Sequence, residues 1–155
     1  MSFDELGIDE NILRGVYAHG FEKPSQIQTL AIPKILEKKD LIAQAQSGTG
    51  KTGAFAIGSL CRIDPKKSET QLLVLVPTRE LADQVSLVIK DISSYTEITS
   101  LKVIGGTNVS MCREDLYKRP HIVIGTPGRV LDMIQRRYLF TENIENIVLD
   151  EADEM

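Results

Sequence analysis

Little in the sequence would support a membrane, secreted or zinc-binding protein. Its only cysteines, Cys61 and Cys112, lie far apart and form no metal-binding pattern with the two histidines. Cysteines in such an arrangement are typically reduced thiols of an intracellular protein. No apolar run approaches the roughly 18 residues of a membrane span, and the acidic N-terminus lacks the layout of a signal peptide. We therefore expect a cytoplasmic protein, with work in the nucleus left open.

Aromatic residues and excess positive charge are also scarce. The chain has no tryptophan, its aromatic content is 5%, and its net charge is −4. Proteins that bind single strands by stacking need aromatic platforms, and electrostatic binders of nucleic acid need basic surfaces. Any nucleic-acid contact must therefore be local, made by loops and by the starts of helices.

What the chain does contain indicates one globular domain with alternating strands and helices. It has 155 residues, and 42% of them are hydrophobic, which is enough for a sizeable core. Short apolar runs alternate with segments whose apolar residues recur at helical spacing. The apolar runs predicted as strands are 72–76, 101–104, 122–124 and 147–149. This order predicts an α/β fold, a parallel β-sheet flanked by helices.

The strongest chemical signal is a glycine-rich stretch, Ala45-Gln46-Ser47-Gly48-Thr49-Gly50-Lys51-Thr52. It lies between the apolar run 41–43, predicted as a strand, and a predicted helix over 54–61. Glycines let successive backbone N–H groups converge on phosphate oxygens, and a helix start adds further donors. Lys51 would reach the β- and γ-phosphates, and the Thr52 hydroxyl would bind Mg²⁺. The alternative is a flexible polar turn, and the usual first glycine is alanine here.

A second signal is the pair Asp150-Glu151 at the end of the predicted strand 147–149. In phosphate-loop enzymes an aspartate at such a strand end holds Mg²⁺, and a neighbouring acid can activate the attacking water. The alternative is a strand that simply enters a solvated turn. Because the chain has no Asn-Lys-x-Asp tetrapeptide for reading guanine, hydrolysis of ATP is favoured over hydrolysis of GTP.

Other residues have mainly structural interpretations. Ser25 can cap a helix, and Gln28, three residues later, can complete a capping box. Tyr138 and Phe140 are expected in the core, and neither histidine has an expected role beyond packing or the surface.

Together these motifs resemble the first RecA-like domain of the DEAD-box RNA helicases. Asp150-Glu151-Ala152-Asp153 spells the family name, and the family's own phosphate loop begins with alanine. Further motifs follow in family order: Pro77-Thr78-Arg79-Glu80-Leu81-Ala82, Gly105-Gly106 and Thr126-Pro127-Gly128-Arg129. Phe21, Pro24, Ile27 and Gln28 match the adenine-recognising Q motif, and Phe3 matches its isolated upstream aromatic residue. Within the family, residues 104–109 and 121–139 look most like eukaryotic translation initiation factor 4A.

The resemblance implies a role for each of these residues. Phe21 would stack on adenine and Gln28 would bond its edge, so the cofactors would be ATP and Mg²⁺, with Thr52 and Asp150 at the metal. Lys51 and Glu151 would be catalytic. Asp153 would couple to a Ser-Ala-Thr motif. The RNA backbone would be lined by Pro77, Thr78, Arg79, Gly105, Gly106, Thr126, Pro127, Gly128 and Arg129, a set of groups that suits phosphates and reads no base sequence.

The resemblance also predicts domain organisation. Residues 1–28 would form an N-terminal helix and the Q motif, and residues 29–155 would form a RecA-like domain that is incomplete at its C-terminus. A Ser-Ala-Thr motif and a second RecA-like domain with an arginine finger would follow in the same chain.

The implied function is an RNA-stimulated ATPase that unwinds short RNA duplexes in translation initiation, with scaffold proteins of that process as further partners and no membrane contact. The 155 residues alone are expected to bind nucleotide but not to unwind RNA. The alternative is a nucleotide- or RNA-binding module of a DEAD-box protein in splicing, ribosome biogenesis or mRNA turnover.

Overall fold

The computed structural model describes residues 1–43 and 48–155. Backbone contacts divide the chain into two compact units. The first, Met1–Ile63 with Val88–Glu97, is called here the helical unit. The second, Asp64–Leu87 with Ile98–Met155, is called the sheet unit. This division follows packing and does not test the predicted boundary after residue 28.

The helical unit begins with a 3₁₀ turn, Phe3–Glu5, followed by helices α1 (Glu10–His19), α2 (Gln26–Leu36) and α3 (Lys51–Leu60). The start of α1 is capped by Asp9, whose side chain accepts a hydrogen bond of 3.0 Å from the Asn11 N–H. Its end is set by Gly20, which has a φ of 107° that a side chain would disfavour. Both boundaries are therefore set by residues of the types that commonly begin and end helices.

The strand predicted before the phosphate loop is absent. Residues Leu41, Ile42 and Ala43 have no regular secondary structure, and Ile42 is 94% exposed. A strand needs a neighbour to satisfy its backbone donors and acceptors. In the described part of the helical unit there is no strand, and the ladders of the sheet do not include residues 41–43. The apolar run therefore lacks a ladder partner.

The sheet unit carries the strands β1 (Leu72–Leu75), β2 (Ser100–Val103), β3 (Ile122–Gly125) and β4 (Asn146–Leu149). They are connected by α4 (Arg79–Ile92), which continues into the helical unit, and by α5 (Val109–Tyr117) and α6 (Pro127–Gln135). The strand order is β2-β3-β1-β4, and every described pair is parallel. The predicted parallel α/β fold is confirmed.

Burial follows position in the sheet. Every residue of the inner strand β3 is buried, as expected for a parallel strand covered on both faces. The edge strand β4 instead exposes Ile147 by 60% and Leu149 by 57%. Phe140, predicted in the core, is 49% exposed, because its ring lies beside the Arg119 guanidinium on the surface rather than in the apolar cluster. No helix of the described residues is long and apolar enough to cross a membrane.

Candidate functional site

The described residues at the start of α3 include the glycine conformations and helix-start N–H groups that a phosphate-binding turn would use. Gly48 and Gly50 have φ values of 85° and 90°, a left-handed conformation that glycine adopts without strain. Gly50 is the N-cap residue, and Lys51 and Thr52 are the first two residues of the helix. The first N–H groups of a helix lack partners inside it and favour anions. Three predicted loop residues, Ala45, Gln46 and Ser47, lie outside the described residues.

Gln28 links α2 to this turn. Its Oε1 accepts from the Ser25 N–H at 2.9 Å, and its backbone N–H donates to Ser25 Oγ at 3.4 Å, which forms the predicted capping box. In addition, Gln28 Nε2 donates to the Gly50 carbonyl at 3.1 Å. A Cβ at Gly50 would lie 2.6 Å from Gln28 Nε2, and one at Gly53 would lie 2.8 Å from it. Both glycines are therefore needed to admit the glutamine side chain.

Phe21 lies beside the same helix start. Its ring centroid is 6.2 Å from that of Phe3, which is fully buried, and 4.7 Å from that of His19. A Cβ at Gly53 would lie 3.0 Å from Phe21 Cζ. Phe3, Phe21 and Gln28, widely spaced in sequence, are thus brought together in the helical unit. His19 was not predicted to belong there, since a lone histidine at a helix end carries no motif.

The predicted RNA-binding residues gather at one edge of the sheet. They follow β1, β2 and β3, and because these strands are parallel and in register, their carboxyl ends meet at the same edge. The turns there belong to residues 76–79, 104–107 and 126–129. This is the edge at which open α/β sheets generally bind ligands.

Arginines from two of these turns cross to the third. Arg129 donates from Nη1 to Thr107 Oγ1 and from Nη2 to the Thr107 carbonyl, both at 3.0 Å. A Cβ at Gly106 would lie 3.0 Å from Arg79 Nη1. Thr107 was missed by the motif analysis, although it directly follows the glycine pair. It holds one edge of the Arg129 guanidinium, which has five N–H donors in total.

The helix starts at this edge differ in how their hydroxyls are used. Thr78 Oγ1 accepts from the Leu81 N–H at 3.2 Å and so caps α4. Thr126 is the N-cap of α6, but its side chain makes no capping bond. Residues 126–128 form a helix start, with Pro127 at the start of α6. A Cβ at Gly105 or Gly128 would meet nothing within 4 Å, so both glycines border open space.

The acidic pair follows β4 at this edge. Asp150 is buried, 6% exposed, and its N–H donates to the Leu75 carbonyl at 3.0 Å. Glu151 is half-buried and has a φ of 53°, in the left-handed region. Asp153 is exposed, in the 3₁₀ turn Ala152–Glu154. Asp150 and Glu151 belong to the sheet unit, whereas Lys51 and Thr52 belong to the helical unit.

The residues suit Mg²⁺ only as part of a nucleotide complex. Within residues 1–43 and 48–155, no group of three or more His, Cys, Asp or Glu side chains could hold a metal ion. Mg²⁺ is commonly held by one or two protein oxygens together with substrate phosphates and water. Thr52 carries a hydroxyl and Asp150 a carboxylate, and each is by itself an oxygen donor of the chemical type that Mg²⁺ prefers.

Comparisons with known proteins agree with the motifs. The family model described as DEAD/DEAH box helicase matches residues 25–155. The chain is 52% identical over 154 residues to "ATP-dependent RNA helicase eIF4A" of Aspergillus fumigatus, covering 99% of this chain and 38% of that protein. It is 53% identical over 154 residues to "ATP-dependent RNA helicase FAL1" of Coccidioides immitis, covering 99% of this chain and 39% of that protein. The chain thus spans about two fifths of the length of these relatives.

Solved structures show the same fold. A DEAD box protein from Methanococcus jannaschii superimposes with a TM-score of 0.92 at 38% identity, covering all of this chain and 42% of that one. Saccharomyces cerevisiae Dbp5, bound to RNA and ADP BeF3, gives a TM-score of 0.90 at 39% identity, covering 99% of this chain and 39% of that one. The RecA-like fold expected from the motifs is confirmed. With its motifs, its fold and these likenesses in agreement, the chain belongs to the DEAD/DEAH box helicase family.

Proposed function

We propose that this chain is the ATP- and RNA-binding part of an ATP-dependent RNA helicase. The observation that carries the proposal is the meeting of three strand ends at one edge of the sheet, where they present arginines, a threonine hydroxyl outside any capping bond and two open glycines. Such groups favour a phosphate backbone over base edges. Relatives at 52% and 53% identity are named ATP-dependent RNA helicases.

Adenine recognition by Gln28 is compatible with its capping role. A glutamine amide has two N–H donors and two lone pairs on its oxygen. The bonds to Ser25 and Gly50 use one of each. The remaining N–H and lone pair match adenine, which offers an acceptor at N7 and a donor at N6. Phe21, half-buried beside it, supplies a ring for stacking.

The residues of the phosphate site have separate tasks in the proposal. The N–H groups at the start of α3 and the Lys51 ammonium bind the β- and γ-phosphates. Thr52 and Asp150 would each offer an oxygen ligand to Mg²⁺, which would neutralise charge on the phosphates when bound. Glu151 orients the attacking water and accepts its proton.

RNA is held through its backbone in this proposal. Arg79 and Arg129 pair with phosphates, the Thr126 hydroxyl donates to them, and Gly105 and Gly128 leave room for the strand to approach. Pro77, Thr78, Gly106 and Pro127 shape the turns between these groups. The net charge of −4 is compatible with this, because a few directed contacts replace a basic surface.

Unwinding requires more than this chain. Since the chain spans about two fifths of its relatives, we infer that a second RecA-like domain supplies the arginine finger and completes the RNA groove, and that Asp153 couples to it. Fingers of this kind contribute about 10³–10⁵ in rate. The 155 residues alone then bind nucleotide without unwinding RNA. We further propose a role in translation initiation in the cytoplasm, with a scaffold protein as partner; the likeness to a helicase named eIF4A supports the translation role.

The test is RNA-stimulated ATP hydrolysis by the full-length protein, with Lys51→Ala and Arg129→Ala. Lys51→Ala should abolish hydrolysis with and without RNA. Arg129→Ala should leave the RNA-free rate unchanged and raise the RNA concentration needed for stimulation, to a similar degree for RNAs of different sequence. Hydrolysis that RNA does not stimulate would overturn the helicase assignment, and equal stimulation of wild type and Arg129→Ala would remove Arg129 from the RNA site.

A further inference from the structure

One residue outside the family motifs lies behind the ring assigned to adenine. His19 is the last residue of α1, and its Nδ1 lies 2.9 Å from Oδ2 of Asp91 on α4. The same imidazole contacts Phe21 edge-on, with ring centroids 4.7 Å apart and planes at 61°. Gly20 turns the chain between the two rings. His19 therefore joins Phe21 directly to the last turn of α4.

The partner of His19 is held firmly against α1. A Cβ at Gly15 would lie 1.8 Å from the Ile92 carbonyl oxygen, so α1 and the end of α4 approach as closely as glycine allows. The Arg14 guanidinium lies 4.5 Å from the centre of the Tyr95 ring in the same region. Since Gly15 and His19 are four residues apart on one helix face, this packing fixes the side from which His19 projects.

We propose that His19 and Asp91 form a positioning pair that holds the Phe21 ring ready for the base of ATP. The inference rests on the proposed function, in which Phe21 stacks on adenine. Phe21 also contacts Phe3, with ring centroids 6.2 Å apart, and lies against Gly53. His19 completes this support and ties it to a charged group. A ring held in place before binding loses less conformational freedom when the base arrives.

The alternative is that the pair only stabilises the fold. A carboxylate in the last turn of a helix is disfavoured by the helix dipole, and a paired histidine would offset that. The two roles differ in what they do to ligands. A support for the base affects only ligands that have one, whereas a loss of folding lowers the binding of every ligand.

The experiment measures the affinity of the 155-residue protein for ADP and for tripolyphosphate, each by competition with a fluorescent ADP analogue. His19→Ala should weaken ADP about 3- to 10-fold, the range expected for one aromatic contact, and should leave tripolyphosphate unchanged because it has no base. Asp91→Ala should act in the same direction. The matched control is Asp83→Ala on the same helix, which removes another carboxylate, paired to Lys102 at 2.7 Å, and should change neither affinity.

A double-mutant cycle tests whether His19 acts through Phe21. His19→Ala should have no further effect on ADP binding in the Phe21→Ala background. A full effect in that background, or an equal loss of tripolyphosphate binding, overturns the positioning role. If Phe21→Ala leaves the ADP affinity unchanged while Lys51→Ala abolishes ADP binding, the positioning role is also overturned. The proposed phosphate site is not affected by that result. Unchanged binding in Lys51→Ala would instead refute the proposed nucleotide site.

Discussion

The hydrogen bond from Gln28 to the Gly50 carbonyl gives the sharpest test of how the helical unit is stabilised. Gln28 is 2% exposed, and its side chain makes two bonds, one from the Ser25 N–H and one to the Gly50 carbonyl. Gln28→Ala removes both. Each hydrogen bond contributes about 1 kcal/mol, and the buried methylene group that is lost contributes about 0.8 kcal/mol. The free energy of unfolding should therefore fall by about 3 kcal/mol.

A second variant separates the two bonds. Gln28→Glu keeps an oxygen for the Ser25 N–H, and glutamate is itself a standard residue of the capping box. However, it replaces the donor that faces the Gly50 carbonyl, 3.1 Å away, by a carboxylate oxygen. Leaving the half-buried Gly50 carbonyl opposite an acceptor should cost about 2 kcal/mol at neutral pH.

The assay is urea unfolding of the nucleotide-free protein, with Gln26→Ala, an exposed position of the same helix, as the control. Because the chain has two compact units, unfolding is followed by two probes to check that it is a single transition. If Gln28→Glu is as stable as wild type to within about 0.5 kcal/mol, the link to Gly50 contributes nothing and the reasoning fails.

Three further predictions concern other parts of the chain. Burial raises the pKa of the Cys61 thiol to about 11, so alkylation at pH 8 should be at least about 100-fold slower than for an exposed cysteine, and full labelling should require urea. Gly15→Ala should lower the free energy of unfolding in urea by about 3 kcal/mol, because the new Cβ would lie 1.8 Å from the Ile92 carbonyl oxygen. Helix propensity alone would predict the opposite, since alanine favours a helix more than glycine does. Arg129→Lys loses the paired bonds to Thr107 and should weaken RNA binding several-fold in a filter assay, while stability changes by less than about 1 kcal/mol.

Local patterns were enough to locate most of the fold. The apolar run 72–76 became β1, and the run 122–124 became β3. These predictions are correct because neighbouring elements complete the hydrogen bonding and packing of each segment. For example, β1 is paired on both sides by strands of the same unit. The run 41–43 has an equally apolar sequence but no ladder partner, and a pattern of three residues cannot reveal whether a partner exists.

The candidate sites were predictable only where a motif names the residue. The capping box of Gln28 is confirmed, whereas its bond to adenine stays a prediction. Thr107 and His19 were not found, because their importance lies in contacts to residues 22 and 72 positions away. Such contacts depend on how strands and helices are brought together, and no spacing along the chain records them.

Backbone strain separates Glu151 from other residues with similar dihedral angles. The described residues include four non-glycine residues with positive φ, Lys38, Arg119, Arg137 and Glu151. The first three lie two residues beyond the ends of α2, α5 and α6, where a left-handed residue commonly closes a helix. Glu151 instead lies between a strand and a 3₁₀ turn, so no helix end accounts for its conformation.

Glycine at position 151 should therefore relieve strain and abolish chemistry at the same time. A left-handed conformation destabilises the folded state of a non-glycine residue by about 1–2 kcal/mol, and glycine removes that cost. Glycine also has more conformational freedom in the unfolded chain, which cancels about 0.5–1 kcal/mol of the gain in stability. Glu151→Gly should thus be more stable than wild type by about 0.5–1 kcal/mol in urea unfolding, while the full-length protein loses RNA-stimulated ATP hydrolysis. Lys38→Gly, with a φ of 61° at a helix end, is the matched control, and it should gain similar stability and keep hydrolysis. If Glu151→Gly is instead less stable than wild type, the Glu151 side chain stabilises the fold and the strained backbone has a structural role. If Glu151→Gly is more stable but loses hydrolysis, the strained conformation is maintained for the proposed placement of the water.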